Sequence, residues 1–535
     1  MPSLEPRLIG RGAEAVQPSP SLSIRLTNGA ILVLWLGAAG YLVAGHVMWR
    51  DEVRALSIAM AGTDIVDMAR ALHGEGHPAV WYILLRLAWS ATGHVEVLQV
   101  LAVVIGFATV ALLVLASPFP RLGVAALTLG GLLLYDYTVE ARNYGVSALL
   151  LFSFATLYPA RRKGGFVLGA LLFLLANTNI VATVMVGALL VFWLIDLLDE
   201  TGLQWTPRTT TFVLNALIAA AGVLVCAVTI LPTTNDAAVN DFSGASPTLV
   251  ALRALLDPGS TSLATLLSRA VSRWGAMPSV LTSVVLFAVV AGLAPRRAAF
   301  VSALLGLAAS ALLLALVAKS SYRHAGIWFF FVLSLYWMSW DDIVRAVSGA
   351  TSRPLARGAA LVGLGGVAVL ACVQLVDGAR HVVYSALGKE PPQSRSLDLA
   401  RLVSSRADLR SAVIIADPDF LVEALPYYLP NRTFLLRQDA FGSVVKFSRS
   451  VKSAVTLGDV LAAARSLRQS ERAPVLILLN HRLDEIVPDR LYSEGYDWTF
   501  QATTDQIHDF RNATELIARF DRAKTDETYD VYELH

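Results

Sequence analysis

The ionisable side chains of this chain gather at a few places between long apolar runs. Asp51 and Glu52 stand together directly after the first run, and His77 precedes Pro78. Glu140 and Arg142 follow another run, and Tyr322, Arg323 and His324 precede a later one. A carboxylate beside separate cationic groups suits transfer from a lipid phosphate: the carboxylate takes a proton from an acceptor hydroxyl while Arg and His stabilise the departing phosphate. The planar guanidinium fork matches phosphate oxygens, which makes Arg142 and Arg323 candidate contacts. Each residue alone also has a plainer reading. Acidic residues flank spans as solvated edges, Arg side chains snorkel to headgroups, and His before Pro opens a helix. What separates chemistry from these readings is convergence on one membrane face.

Composition requires a lipid solvent around most of the chain. Of 535 residues, 55% are hydrophobic and 16% charged, with a mean hydropathy of +0.58, which no single water-soluble globule with an ordinary polar surface shows. The net charge is +2 and no block of like charges occurs, which argues against nucleic acid as a partner. The two cysteines, Cys226 and Cys372, both fall within apolar runs, so no disulfide framework is indicated.

The pattern predicts eleven membrane crossings, near residues 29–48, 95–117, 122–139, 144–159, 165–180, 181–197, 211–231, 276–294, 298–318, 325–340 and 358–376. The first run is too long for a removed signal peptide and reads as a retained span after a polar tail, 1–28. Arg7, Arg11, Arg25, Arg121, Arg161, Arg162, Lys163, Arg208, Arg296, Arg297, Arg345, Arg353 and Arg357 all fall on one side under this count. That side is predicted to be the cytoplasm, with the C-terminus outside. All eight candidate residues then lie at the outer ends of spans.

Two outer loops are long. Residues 49–94 contain an apolar stretch, 77–92, that is short for a span, includes Arg86 and reads as a helix lying on the outer leaflet. Residues 232–276 carry helical patterns at 249–256 and 262–274. From 377 the composition becomes that of a soluble domain: strands at 411–416 and 473–479, with an amphipathic helix at 457–469 between them, predict a parallel, Rossmann-like α/β sheet. Asp417-Pro418-Asp419 stands after the first strand where a dinucleotide site would need a glycine-rich turn.

The order Trp49-Arg50-Asp51-Glu52, then His77-Pro78-Ala79-Val80-Trp81-Tyr82-Ile83-Leu84-Leu85, then Glu140-Ala141-Arg142-Asn143-Tyr144 resembles the GT-C membrane glycosyltransferases. It is most similar to the protein mannosyltransferases and the lipid A aminoarabinose or galacturonic acid transferases. The resemblance covers the membrane half. It implies a polyprenyl-phosphate sugar as donor, Asp51 as catalytic base with Glu52 as its acidic neighbour, and a short surface helix opening at His77-Pro78. Under it, His77, Glu140, Arg142, Tyr322, Arg323 and His324 contact the donor phosphate or substrate. That family often has His-Pro-Pro where this chain has His77-Pro78-Ala79. The C-terminal domain looks like the outer domain of some bacterial members and receives no residue roles.

The expected protein is therefore an α-helical polytopic membrane protein, GT-C-like, with an outer α/β domain, in a plasma membrane of the bacterial inner-membrane type. Its acceptor is a lipid, polysaccharide or protein hydroxyl. No cofactor is required by the sequence, although Asp51, Glu52 and Glu140 would hold a hard divalent cation if their oxygens converged. A transporter or flippase for a lipid-linked substrate and a non-catalytic assembly subunit are the alternatives; spans without charge argue against ion coupling. The topology makes a prediction: a reporter active only in the cytoplasm, fused after His535, stays silent, and activity there would overturn the assignment of sides.

Overall fold

The computed structural model describes residues 22–238, 246–271, 278–317, 322–350 and 354–535. Most of the expected N-terminal tail, the end of the helical pattern at 262–274, and Arg353 lie outside the described residues.

Six helices are long and apolar enough to cross a membrane: Leu22–Ala44, Val97–Ala116, Ile180–Thr201, Pro207–Ile230, Arg297–Leu316 and Pro354–Ala386. A bent pair, Tyr322–Met338 with Trp340–Val347 at 71°, brings the number to seven if it counts as one span. The other segments expected to cross are helical but short or broken. Tyr144–Leu157, Val167–Ala176 and Ser279–Ala291 span at most 14 residues, or ~21 Å of helix against a hydrocarbon core of ~30 Å. The run at 122–139 is interrupted: Arg121–Thr128 gives way to a π-helical turn, Leu132–Asp136.

Tyr322–Met338 sits at the centre of the bundle, with Ile327 to Tyr336 buried in succession, as a helix apolar on all faces requires. Around it Val97–Ala116 packs on Tyr144–Leu157, Ile180–Thr201 on Arg297–Leu316, and Ser279–Ala291 on Pro354–Ala386. The last helix runs ten residues beyond the predicted end at 376, to Ala386. Its extension is stabilised by tertiary partners: Asp377 and His381 are buried against other elements. Gly378 permits that approach, since a Cβ there would lie 2.0 Å from the Leu129 carbonyl.

At one end of the bundle Arg161, Arg162 and Arg296 surround a cleft of about 740 Å³ with Asp196, Glu200 and Trp337. Its charges are paired with one another: Arg296 with Asp196, and Arg161 with Glu200 at 2.9 Å. At the other end the segment 49–94 folds into three short helices, Arg50–Ala59, Ile65–Leu72 and Val80–Thr92. Val80–Thr92 is the expected short helix. Its Arg86 is buried and donates to the carbonyls of Ala59 and Ala61, 3.0 and 3.1 Å away.

The C-terminal domain holds a six-stranded sheet of order β3-β2-β1-β5-β9-β8, with β1 Val413–Asp417, β2 Thr433–Leu435, β3 Ala440–Phe441, β5 Val475–Leu479, β8 Thr514–Phe520 and β9 Tyr529–Leu534. β1 is parallel to both β2 and β5, as predicted for the two strands read from sequence. Both edges are antiparallel, so the sheet is mixed. The predicted helix is present as Leu457–Glu471. A second sheet of β4 Ala454–Thr456, β6 Tyr492–Gly495 and β7 Trp498–Gln501 stands beside it.

Buried ion pairs join the C-terminal domain to the segment 49–94. Arg54 lies between Glu75, with contacts of 2.5 and 2.7 Å, and Glu423. The Tyr428 hydroxyl accepts from the Met48 N–H at 2.7 Å. Arg54→Met removes the cation shared by two buried carboxylates. Because uncompensated buried charge is costly, it is expected to destabilise the folded protein by about 3–5 kcal/mol, read as an earlier thermal transition in detergent; an unchanged transition would show that the domains do not depend on this pair.

Candidate active site

Asp51 and Glu52 are neighbours on the first turn of Arg50–Ala59, yet helical rotation sends them to different surroundings. The Glu52 side chain is fully buried. One of its oxygens accepts from Ala141 N–H at 2.6 Å and the other from Trp49 N–H at 3.2 Å. The contact to Trp49 is the return half of a capping box. His46 Nε2 lies 2.9 Å away. Burial opposes charge on His46, and the Glu52 carboxylate outweighs it, so its pKa is raised. Glu52 thus ties the end of the first span to the 140–142 segment and does not face the candidate site.

Asp51 points the other way, with a third of its side chain exposed, and pairs with Arg142. Arg50 Nε is 3.9 Å from its other oxygen. Burial pushes the Asp51 carboxyl up, but Arg142 first, then Arg50, Arg323 and His77, bring it down to about 2. A carboxylate in this state is ionised and held by cations.

Arg142 stands on an elbow made by the π turn. The Tyr137 N–H bonds to the Leu132 carbonyl at 2.9 Å, and the chain leaves helical geometry until Tyr144. Gln99 Nε2 donates to the carbonyls of Thr138 and Val139 at 3.3 and 3.1 Å, satisfying backbone that has no helical partner. On this elbow Glu140 pairs with Arg323 at 2.9 Å and accepts from Gln393 Nε2 at 2.6 Å. The Arg323 guanidinium lies 5.3 Å from the centre of the Trp49 ring, and Arg142 5.5 Å from that of Tyr144. The Tyr144 hydroxyl is 3.1 Å from His324 Nε2. His77 is within electrostatic reach of Arg142 and Asp51; burial and then Arg142 lower its pKa, and its Nδ1 is buried without a hydrogen bond.

The structure therefore brings together Asp51, His77, Glu140, Arg142, Arg323 and His324. Tyr322 belongs elsewhere: it donates to Gln374 at 2.5 Å, and Arg269 lies over its ring. One helical step of about 100° separates Tyr322 from Arg323 and directs them apart. Sequence reasoning missed His46, Gln393 and Tyr144 as members of the arrangement. His46 had a usable signal, six residues before Glu52 at a span end; Gln393 had none, because its partner is 253 positions away.

Asp51, Glu52 and Glu140 do not converge into a cation cage, since each is committed to different partners. Among the described residues, ligand-type atoms of Asp136, Asp377 and His381 lie within 4.8 Å of one another. A guanidinium stands among them: Arg269 Nη1 is 2.7 and 2.9 Å from the Asp136 oxygens, and Nη2 is 3.4 Å from His381 Nε2. This cluster is neutralised by an internal cation, and the Asp377–His381 spacing of i, i+4 was its one trace in the sequence.

No protein-family model, curated protein or solved structure matches the chain.

The cations around Asp51 control its proton affinity. Arg142→Gln removes the cation that lowers it most, so the Asp51 pKa rises from about 2 towards the usual carboxylate range, with Arg50 and Arg323 still opposing burial. If Asp51 works as a base, the acid limb of the pH profile moves to higher pH in this variant. An acid limb at the wild-type position would dissociate Arg142 from the titration of Asp51.

Proposed function

We propose that this chain is an inverting glycosyltransferase that moves a sugar from a polyprenyl-phosphate carrier to an acceptor hydroxyl at the outer face of a bacterial inner membrane, with Asp51 as general base. One observation carries the reading: a partly exposed carboxylate held against Arg142 at the outer end of the first span, with Arg323 beside it.

A lipid phosphate entering at membrane level competes with Asp51 for Arg142 and with Glu140 for Arg323, since guanidinium pairs well with phosphate oxygens. Losing its nearest cation raises the proton affinity of Asp51 as the donor binds. The acceptor hydroxyl gives its proton to Asp51, and its oxygen forms a bond to the anomeric carbon from the side opposite the phosphate. The carbon–oxygen bond to the phosphate breaks with its electron pair, and Arg142 and Arg323 stabilise the released polyprenyl phosphate. Glu52 holds the geometry through Ala141 and takes no proton. Attack from the opposite side inverts the anomeric centre.

The resemblance to GT-C enzymes at Asp51, His77-Pro78 and Glu140-Ala141-Arg142 supports this reading. It goes with a topology in which all eleven apolar segments cross, the N-terminus is cytoplasmic and the Rossmann-like domain lies outside.

Purified protein incubated with undecaprenyl-phosphate pentoses and hexoses should release undecaprenyl phosphate. A flippase or assembly subunit would leave the sugar–phosphate bond intact. Asp51→Asn keeps shape but accepts no proton and no longer competes for Arg142, so turnover should fall about 100- to 10,000-fold with donor affinity kept or raised. Wild-type turnover in a folded Asp51→Asn protein would remove Asp51 from the role.

A further inference from the structure

The hairpin of β6 and β7 turns through two residues, Tyr496 and Asp497, with φ of 53° and 61°. Two consecutive positive φ values suit the right-handed twist of a hairpin and favour Asn, Asp or Gly. Asp497 meets that preference and Tyr496 does not. A bulky residue in the left-handed region is strained, and such strain persists where surrounding structure holds it, often at functional sites.

Packing holds Tyr496 in place. Its ring stacks on Phe447 with centroids 4.1 Å apart, and Trp498 stands 6.3 Å away. The residue remains partly exposed, and among the described residues its hydroxyl makes no hydrogen bond.

This ring stack is fixed relative to Asp51. The Arg54 guanidinium lies 5.2 Å from the Phe447 ring centre. Arg54 is three residues after Asp51 on Arg50–Ala59, so both lie on one side of that helix. Phe447 N–H donates to Asn235 at 2.9 Å, Asn235 donates to Glu75 at 3.2 Å, and Glu75 pairs with Arg54. Arg50 and then Asp51 are the charges that act most strongly on the Tyr496 hydroxyl.

We propose that Tyr496, backed by the buried Phe447, forms an acceptor subsite for a saccharide, which directs one sugar hydroxyl to Asp51. The inference rests on the transferase reading and names its acceptor class. An aromatic face attracts the weakly positive C–H face of a sugar ring, and the free phenol hydroxyl can bond to a sugar hydroxyl. The exposed Asp497–Arg449 pair, 3.2 Å apart, would have to be desolvated by an acyl chain. A hydroxylated ring leaves it hydrogen-bonded.

The test uses the full chain in lipid nanodiscs, the undecaprenyl-phosphate sugar panel as donors, and mannotriose, maltotriose, a Ser/Thr-rich peptide or water as acceptors. Wild type is expected to glycosylate an oligosaccharide. Tyr496→Asn, which suits a positive φ, should raise the KM for that oligosaccharide about tenfold or more through loss of the ring and hydroxyl contacts. Slow donor hydrolysis by water should be unchanged. Tyr496→Phe keeps the ring and should fall between the two. Tyr496→Gly replaces the Asn variant if the latter melts earlier than wild type. An unchanged oligosaccharide KM, equal loss of transfer and hydrolysis, or transfer only to peptide or lipid would overturn the subsite.

Calorimetric titration of the same oligosaccharides needs no turnover. Binding to wild type that is lost in Tyr496→Asn supports the subsite even if no undecaprenyl phosphate is released, an outcome that would sink only the transferase reading. No binding to wild type in either assay overturns the subsite.

Discussion

The buried Glu52 carboxylate is the tie on which the candidate site depends. Its contacts are His46 at the end of the first span, the Trp49 N–H that starts Arg50–Ala59, and the Ala141 N–H on the elbow after the π turn. Hydrogen bonds to an ionised acceptor are the strong ones. Here they join two segments that are 89 positions apart. With Ala141 held to the Asp51 helix, Arg142 is brought to Asp51. Of two adjacent acidic residues, one builds the site and the other faces it.

A second constraint comes from the C-terminal domain, which is joined to the helix Arg50–Ala59 and the segment before it by buried polar contacts. Glu527 is buried and accepts from the Arg50 N–H at 2.9 Å, Glu423 pairs with Arg54, and Gln393 donates to Glu140. Buried ion pairs add little net stability compared with apolar packing, but removing one partner is costly, so they favour one docked arrangement over near alternatives. Burial pushes Glu527 up to about 8 in spite of Arg50, a sign of how much water the junction excludes. The helix that carries Asp51 is thereby held from both sides.

The resting site is a set of satisfied ion pairs, Asp51 with Arg142 and Glu140 with Arg323. A carboxyl held near 2 is a weak base, and in the proposed reaction a phosphate that takes Arg142 from Asp51 would strengthen it. The same pairs keep two guanidinium groups in place for an anion. Under the proposed reaction, binding the donor and activating the base would be one electrostatic event, in which phosphate replaces carboxylate as the partner of arginine.

The sequence by itself determined the zones and the chemistry available to them. Apolar runs separated membrane from water, and the strands later seen as β1 and β5 were legible because a buried parallel pair reads as continuous apolar residues. Residues at span ends could be assigned to one face because crossing reverses sides, which placed Asp51, His77, Glu140, Arg142, Arg323 and His324 in common. Tertiary structure decided what local pattern does not encode. The break at 122–139 and the short helices reduced the long spans to six or seven, since hydropathy averages over a π turn without registering it. The last helix runs past 376 because Asp377 and His381, which look like an end signal, find buried partners on other segments. Rotation about a helix axis separated Asp51 from Glu52 and Arg323 from Tyr322, and pairing across hundreds of positions added Gln393, Glu423 and Glu527. Burial and direction depend on which elements pack together, and one residue's step around a helix is enough to turn a candidate base into a structural tie.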